Sequence, residues 1–220
     1  MIIALDGPAG VGKSTLARSV AERLGFQLVE TGAIYRAVGL LARERGVAFD
    51  DAPALETIAQ GLPIRYEFRD GRNRVFLGDR DVTDALRTPQ ASDDASVVSA
   101  VPEVRAALLG IQRRLATRRD SVMEGRDIGT VVCPNAEVKV FVTARAEVRA
   151  QRRYEELIAE GVDTTFDAVL EDQRVRDERD ANREIAPLRP AENAVILDTS
   201  DLSIDDAIQA TIALVRAASK

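Results

Sequence analysis

Apolar and polar positions along the chain alternate between two rhythms. The string MIIALD predicts a buried strand, followed by a helix over Lys13–Leu24. QLVE predicts a second strand, followed by a helix from Thr31 to about Arg45. Short apolar strands that alternate with helices predict a parallel sheet wrapped by helices. Further strands are expected at SVMEG, VKVFVTA and AVILD, with a closing helix from Ser203, which makes five strands for a doubly wound core.

Between about Leu62 and Leu77 the rhythm changes. PIRYEFR and RNRVFLG alternate apolar and polar residues around Asp70-Gly71, a hairpin signal, and predict a small antiparallel insert. Arg145–Asp180 is dense in charge, carries apolar residues at helical spacing and is followed by Pro187 and Pro190, which predicts a helical arm able to move as a lid. The expected organisation is a single α/β domain. Its core comprises 1–61, 96–145 and 190–220, with an acceptor-binding insert at about 62–95 and a lid arm at about 146–189. Neither an internal repeat nor a low-complexity segment interrupts it.

Composition narrows the chemistry. With 220 residues and 45% hydrophobic content the chain can bury a core of its own. It holds no apolar run near the roughly 20 residues that cross a bilayer, and Met1 leads into a strand-like segment rather than a basic leader, so a cytoplasmic location without membrane contact is expected. Cys133 is the sole cysteine and histidine is absent, which excludes disulfides, zinc clusters and imidazole acid–base chemistry. A net charge of −6 argues against polymeric nucleic acid, which demands a basic face, and leaves small anions as ligands. The basic residues are lopsided toward arginine, as expected of a GC-rich, Ala- and Arg-favouring genome, yet Lys13 stands as the one lysine in the first half.

Lys13 lies within Gly7-Pro8-Ala9-Gly10-Val11-Gly12-Lys13-Ser14, followed by Thr15. These residues match the phosphate-binding loop, in which glycines let successive backbone N–H groups turn inward around nucleotide phosphates. The strand before and the helix after supply the context that the motif requires. Lys13 is expected to reach the β and γ phosphates, Ser14 to offer its hydroxyl to Mg²⁺, and the helix to point its positive end at the same anion. A switch-type GTPase would need Asn-Lys-x-Asp and Asp-x-x-Gly strings, and a transporter ATPase a Ser-Gly-Gly signature. The chain contains none of these, so small-molecule kinases remain.

Several strings beyond this loop resemble the bacterial cytidylate kinase family: GPAGVGKS, ETGAIYR, VRAALLGIQRR, EGRDIGTVV and RDERDANREIAPLRPA. The resemblance runs over essentially the whole chain. It implies a nucleoside monophosphate kinase fold with core, acceptor-binding and lid parts, ATP and Mg²⁺ on the donor side, and CMP or dCMP as acceptor. Within the matching strings it implies that Thr31, which keeps the hydroxyl of the more usual serine, and Arg36 hold the acceptor near its phosphate. It further implies that Ser96, Arg105, Asp127 and Arg183 attend the cytosine ring, that Arg176 and Asp180 lie near the ribose, and that Arg126 is a phosphate-side arginine. Lys13, Arg126 and Arg36 are the expected catalytic residues.

The chemistry of the residues points the same way. Cytosine presents an amino donor beside two acceptors, so its pocket needs a carboxylate next to positive donors, and Asp127 adjoining Arg126 provides that pair. Phosphoryl transfer to a monophosphate needs no strong base, because the acceptor is already anionic and catalysis is positioning plus charge neutralisation. The carboxylate that orients Mg²⁺ is left open between Glu124 and Asp127. Each candidate has a plainer alternative: Arg105 as an exposed arginine on an amphipathic helix, Asp180 and Arg183 as a solvated helical face, Tyr35 as packing, Cys133 as buried and inert. A kinase of UMP, dTMP or a hydroxylated metabolite, or a binding module without turnover, are the rival functions. With neither heptads nor a large apolar stripe, a monomer is expected.

Overall fold

The computed structural model describes residues 1–69 and 72–218. The predicted turn at Asp70-Gly71 lies outside the described residues. Strands β1 (Ile2–Asp6), β2 (Gln27–Glu30), β6 (Ser121–Gly125), β7 (Val138–Thr143) and β8 (Val195–Asp198) form a five-stranded sheet in the order β2-β6-β1-β7-β8. A three-stranded antiparallel sheet comprises β3 (Ile64–Arg69), β4 (Arg72–Leu77) and β5 (Arg80–Asp81). The chain forms two compact units, one of residues 1–28 with 119–220 and one of residues 29–118.

In the first unit β1 is the central strand, pairing in parallel with β6 on one side and β7 on the other. It is buried from Ile3 onward, as expected of a parallel strand covered on both faces. Helices α1 (Lys13–Leu24) and α8 (Ile204–Ala218) supply one covering layer: Leu16 and Val20 of α1 and Ile208 and Ile212 of α8 join Ile3, Leu5, Val122 and Val140 in one apolar cluster. The register sets Asp6 opposite Gly125 and Phe141, so β1 and β6 end together while β7 runs on to Thr143. The residues after Asp6 and Gly125 therefore emerge side by side at the carboxyl edge, where doubly wound sheets place their ligands.

The charged arm is two helices, α6 (Ala146–Ala159) and α7 (Phe166–Ala181). The hydroxyl of Thr165 accepts the N–H of Ala168 at 3.2 Å and so caps α7, which separates it from α6. The second unit carries α2 (Thr31–Glu44), α3 (Ala52–Gln60), α4 (Pro89–Val98), α5 (Pro102–Thr117) and the antiparallel sheet. The expected antiparallel pairing is borne out, with Ile64 opposite Leu77 and Arg69 opposite Arg72. Among the described residues no helix is long and apolar enough to cross a membrane.

Candidate active site

The loop between β1 and α1 is shaped by its glycines. Gly7 has φ +148°, and a Cβ there would lie 2.0 Å from the carbonyl oxygen of Val142, so no larger residue fits. Gly12, at φ 84°, turns the chain into α1, whose first turn has neither a capping side chain nor an acidic residue. Its positive end is thereby left for an anion. Lys13 is buried and donates from Nζ to the Pro8 carbonyl at 2.5 Å, bridging the loop. Burial, and then the Arg126 guanidinium nearby, bring its ammonium down to about 7, with Glu124, Asp6 and Asp180 pulling the other way. The hydroxyl of Ser14 donates to both carboxylate oxygens of Glu124, each 3.1 Å away.

After β6 the chain passes through Arg126 and Asp127 into a single π turn over Ile128–Val132. Such turns cost backbone regularity and recur at functional sites. Here the opening of the turn is held from below by Asp6, whose two carboxylate oxygens accept the N–H groups of Ile128 (2.8 Å) and Gly129 (2.7 Å). Burial pushes the Asp6 carboxyl up to about 6 despite these two amides. Asp127 itself is buried.

Arg126 donates from Nε to Asp180 Oδ2 at 2.9 Å, and Arg183 Nη1 stands 3.6 Å from Asp180 Oδ1. Arg183 also holds the carbonyl of Ala186 at 3.0 Å, and the Asp180 carbonyl accepts the N–H of Leu188 at 2.8 Å. Asp180 and Arg183 are each 9% exposed, so the segment at the end of α7 is no solvated helical face. Ala186, with φ 54°, is the described non-glycine residue in the left-handed region, immediately before Pro187. Arg176 is half-buried one turn earlier on α7.

In the second unit, Thr31 opens α2 and is buried, and Arg36 follows one turn later, half-buried. The residue before Thr31 is tied down twice: the Glu30 carbonyl accepts the Tyr66 hydroxyl at 2.7 Å, and its carboxylate accepts Asn73 Nδ2 at 3.1 Å. The small sheet thus fixes the start of α2. Arg105, at 8% exposure, is not the exposed arginine of an amphipathic surface: its guanidinium lies 5.6 Å over the Tyr35 ring and donates to the Ser99 carbonyl at 3.2 Å. Ser96, half-buried on α4, accepts the Ser99 hydroxyl through its own carbonyl at 3.2 Å. Tyr35 is buried, as packing requires, with its hydroxyl accepting Gln112 at 3.2 Å, and Cys133 is buried as expected.

Three features carried no readable signal as a site in the sequence. Asp6 ended an apolar strand, which was the one hint. Arg149, buried on α6, braces the phosphate loop by donating to the Ala9 carbonyl (3.2 Å) while pairing with Asp177 of α7 at 2.7 Å. Beside the loop lies a cavity of about 410 Å³ lined by Val11, Gly12, Thr15, Arg152, Thr199 and Ile204, among others. Arg152 is held over its rim by the Thr199 carbonyl at 2.7 Å.

Comparison with known proteins places this geometry. A profile of the family described as cytidylate kinase matches residues 3–217. A cytidylate kinase of an Exiguobacterium species is 48% identical over 94% of this chain and 93% of its own length. Those of Syntrophotalea carbinolica (46%, 98% and 92%) and Pasteurella multocida (43%, 98% and 95%) are similarly related. Among solved structures, a shikimate kinase from Bacteroides thetaiotaomicron overlays with a TM-score of 0.51 at 15% identity over 98% of both chains, a likeness of fold alone. An uncharacterized protein from Eubacterium ventriosum gives 0.53 at 15% identity, covering 99% of this chain and 98% of its own. With its phosphate loop, arginine cluster and five-stranded core in the arrangement above, and matched from residue 3 to residue 217, the chain belongs to the cytidylate kinase family.

Proposed function

We propose that this protein transfers the γ-phosphate of ATP to CMP or dCMP, giving CDP or dCDP. The observation that carries the reading is the clustering, at one sheet edge, of a buried loop lysine, Lys13, with the ion-paired Arg126 and Asp180. Backbone amides of Gly7–Ser14 and the start of α1 cradle the donor phosphates, and Lys13 pairs with their terminal oxygens. Arg126, with Arg36, neutralises charge that spreads over the transferring group. The cavity beside Gly12 and Arg152 suits the donor base, its apolar lining taking the ring faces.

The donor set fits Mg²⁺. Ser14 and Glu124 present only oxygen atoms, already within hydrogen-bond distance of each other, and this cation takes one or two protein ligands besides phosphates and water. Among the described residues no three His, Cys, Asp or Glu side chains converge as a metal cage. Ser14 and Glu124 would hold the ion, which would supply positive charge against the donor phosphates. Asp127, tied into the turn that Asp6 holds, is the less suited of the two carboxylates and is assigned to the acceptor.

The residues proposed for the acceptor are Thr31, Arg36, Ser96, Arg105, Arg126, Asp127, Arg176, Asp180 and Arg183. The segment 62–95 serves the acceptor side and the arm 146–189 acts as a lid that excludes water, so that ATP is not lost to hydrolysis. The protein works as a monomer in the cytoplasm, in pyrimidine nucleotide metabolism. A coupled ADP-release assay with CMP, dCMP, UMP, dTMP and AMP tests the reading. CMP and dCMP should stimulate most. Preference for another acceptor would reassign the substrate, and no stimulation by any of them would leave a binding module without turnover.

A further inference from the structure

We infer that Asp6 is a positioning residue that locks the phosphate loop to the turn carrying Arg126 and Asp127, so that donor-side and acceptor-side groups of the first unit keep a fixed register. The inference rests on the functional reading above.

The geometry is unusual for a buried acid. Asp6 is 4% exposed, and both of its oxygens are spent on two consecutive backbone amides, Ile128 at 2.8 Å and Gly129 at 2.7 Å. A carboxylate gives each of two adjacent N–H groups its own acceptor oxygen, whereas an amide side chain in the same place would present an NH₂ to one of them. A buried carboxylate is costly unless it is satisfied in this way. Asp6 directly precedes Gly7, the first residue of the phosphate loop, which is pinned against Val142. Ile128 directly follows Asp127. One side chain therefore spans the two neighbouring strand ends from which the loop and the Arg126-Asp127 pair emerge. The β1–β6 ladder sets the same register through Asp6 opposite Gly125 but ends there, and beyond it the Asp6 carboxylate ties the end of β1 to the segment that follows Arg126 and Asp127.

In-line transfer depends on such register, because a shift of about 1 Å between reacting groups can cost on the order of 100-fold in rate. Contacts to each substrate would survive a small relative shift of the two segments, whereas their alignment would not. Water is then a better competitor for the γ-phosphate: it attacks phosphorus, the bond to the bridging oxygen of ADP breaks, and inorganic phosphate leaves in place of CDP.

The experiment measures kcat, both KM values and the ratio of ATP consumed to CDP formed, for the parent, for Asp6→Asn and for Gly129→Ala. The alanine methyl would press to 3.4 Å from Asp6 Oδ2 and 3.2 Å from Lys139 Cδ, disturbing the same contact mildly with Asp6 in place. Expected for Asp6→Asn are a kcat at least tenfold lower per folded molecule, KM values for ATP and CMP within threefold of the parent, and an ATP-to-CDP ratio above one. Gly129→Ala should move kcat and the ratio in the same direction by less, and it carries the test if Asp6→Asn does not fold. Variants that keep the parent kcat and a ratio of one per folded molecule, losing thermal stability alone, would overturn the inference. A parent without CMP-dependent turnover would overturn the functional reading and this inference with it.

Discussion

The phosphate loop and the end of the α7 arm both gather charge beside the carboxyl ends of the strands, and they hold it by opposite means. In the loop the cation's hydrogen bond goes to backbone: Lys13 donates to the Pro8 carbonyl, is buried, and has its ammonium brought down to about 7. At the arm the charges answer one another, with Asp180 2.9 Å from Arg126 and 3.6 Å from Arg183. The first arrangement is incomplete without an anion, because a desolvated ammonium regains its charge most readily beside phosphate. In the second the charges are already paired, so on the proposed reading an acceptor would exchange partners with them. On the proposed reading the donor site would be a preformed cradle, and the arm cluster a set of contacts that binding rearranges.

The comparison breaks most severely at Lys13. Lys13→Met should lower kcat by at least 100-fold, since one charged transition-state contact is worth about 3 kcal/mol or more, while CMP affinity stays within a few-fold. Steady-state rates with direct CMP binding check both halves, and turnover above a tenth of the parent rate would contradict the assignment.

Asp180→Asn acts on the other region. Both arginines keep their charge and lose the anion that orients them, which should lower kcat/KM for CMP by roughly 10- to 100-fold, the equivalent of about 1.5–3 kcal/mol, with KM for ATP near the parent value. An equal loss for both substrates would mean that the cluster is structural.

The smallest effect sharpens the contrast through pH. Lys13, with its folded-state pKa below the usual lysine value, is largely neutral at pH 8 in the ligand-free protein, and phosphate should restore its charge. ATP binding at pH 8 should therefore take up close to one proton, read by calorimetry in buffers of different ionisation heat, and Lys13→Met should abolish most of that uptake. The same shift makes the ligand-free fold gain stability as pH rises from about 7 toward 10.5, where the unfolded chain binds the proton that the folded chain does not. Asp6 works the other way: its folded pKa is raised to about 6 from 3.8, so stability falls as pH rises through that window.

The difference between the two regions also explains what could be read in advance. The phosphate loop is eight consecutive residues between a strand and a helix, and its chemistry follows from local backbone geometry, so Gly7–Ser14 were legible at once. The five strands, the helices after the first two and the hairpin were legible for the same reason, since apolar period is local. Helices α3 and α4 were not foreseen, although each is capped by a side chain, Asp51 and Thr88, and α3 buries Leu55, Ile58 and Ala59 at helical spacing.

What the sequence by itself determined was the set of chemical groups and the family to which they point. Tertiary structure alone decided their state. Arg105 looked like a surface arginine until it met Tyr35, 70 positions away, and Asp180 and Arg183 looked solvated until Arg126 came within 2.9 Å of Asp180. Asp6 and Ile128 are 122 residues apart, and Arg149 pairs with Asp177 across 28. The physical reason is that charge is cheap in water and costly when buried, so the role of an ionisable residue depends on which distant partner the fold delivers, a fact that no local pattern contains.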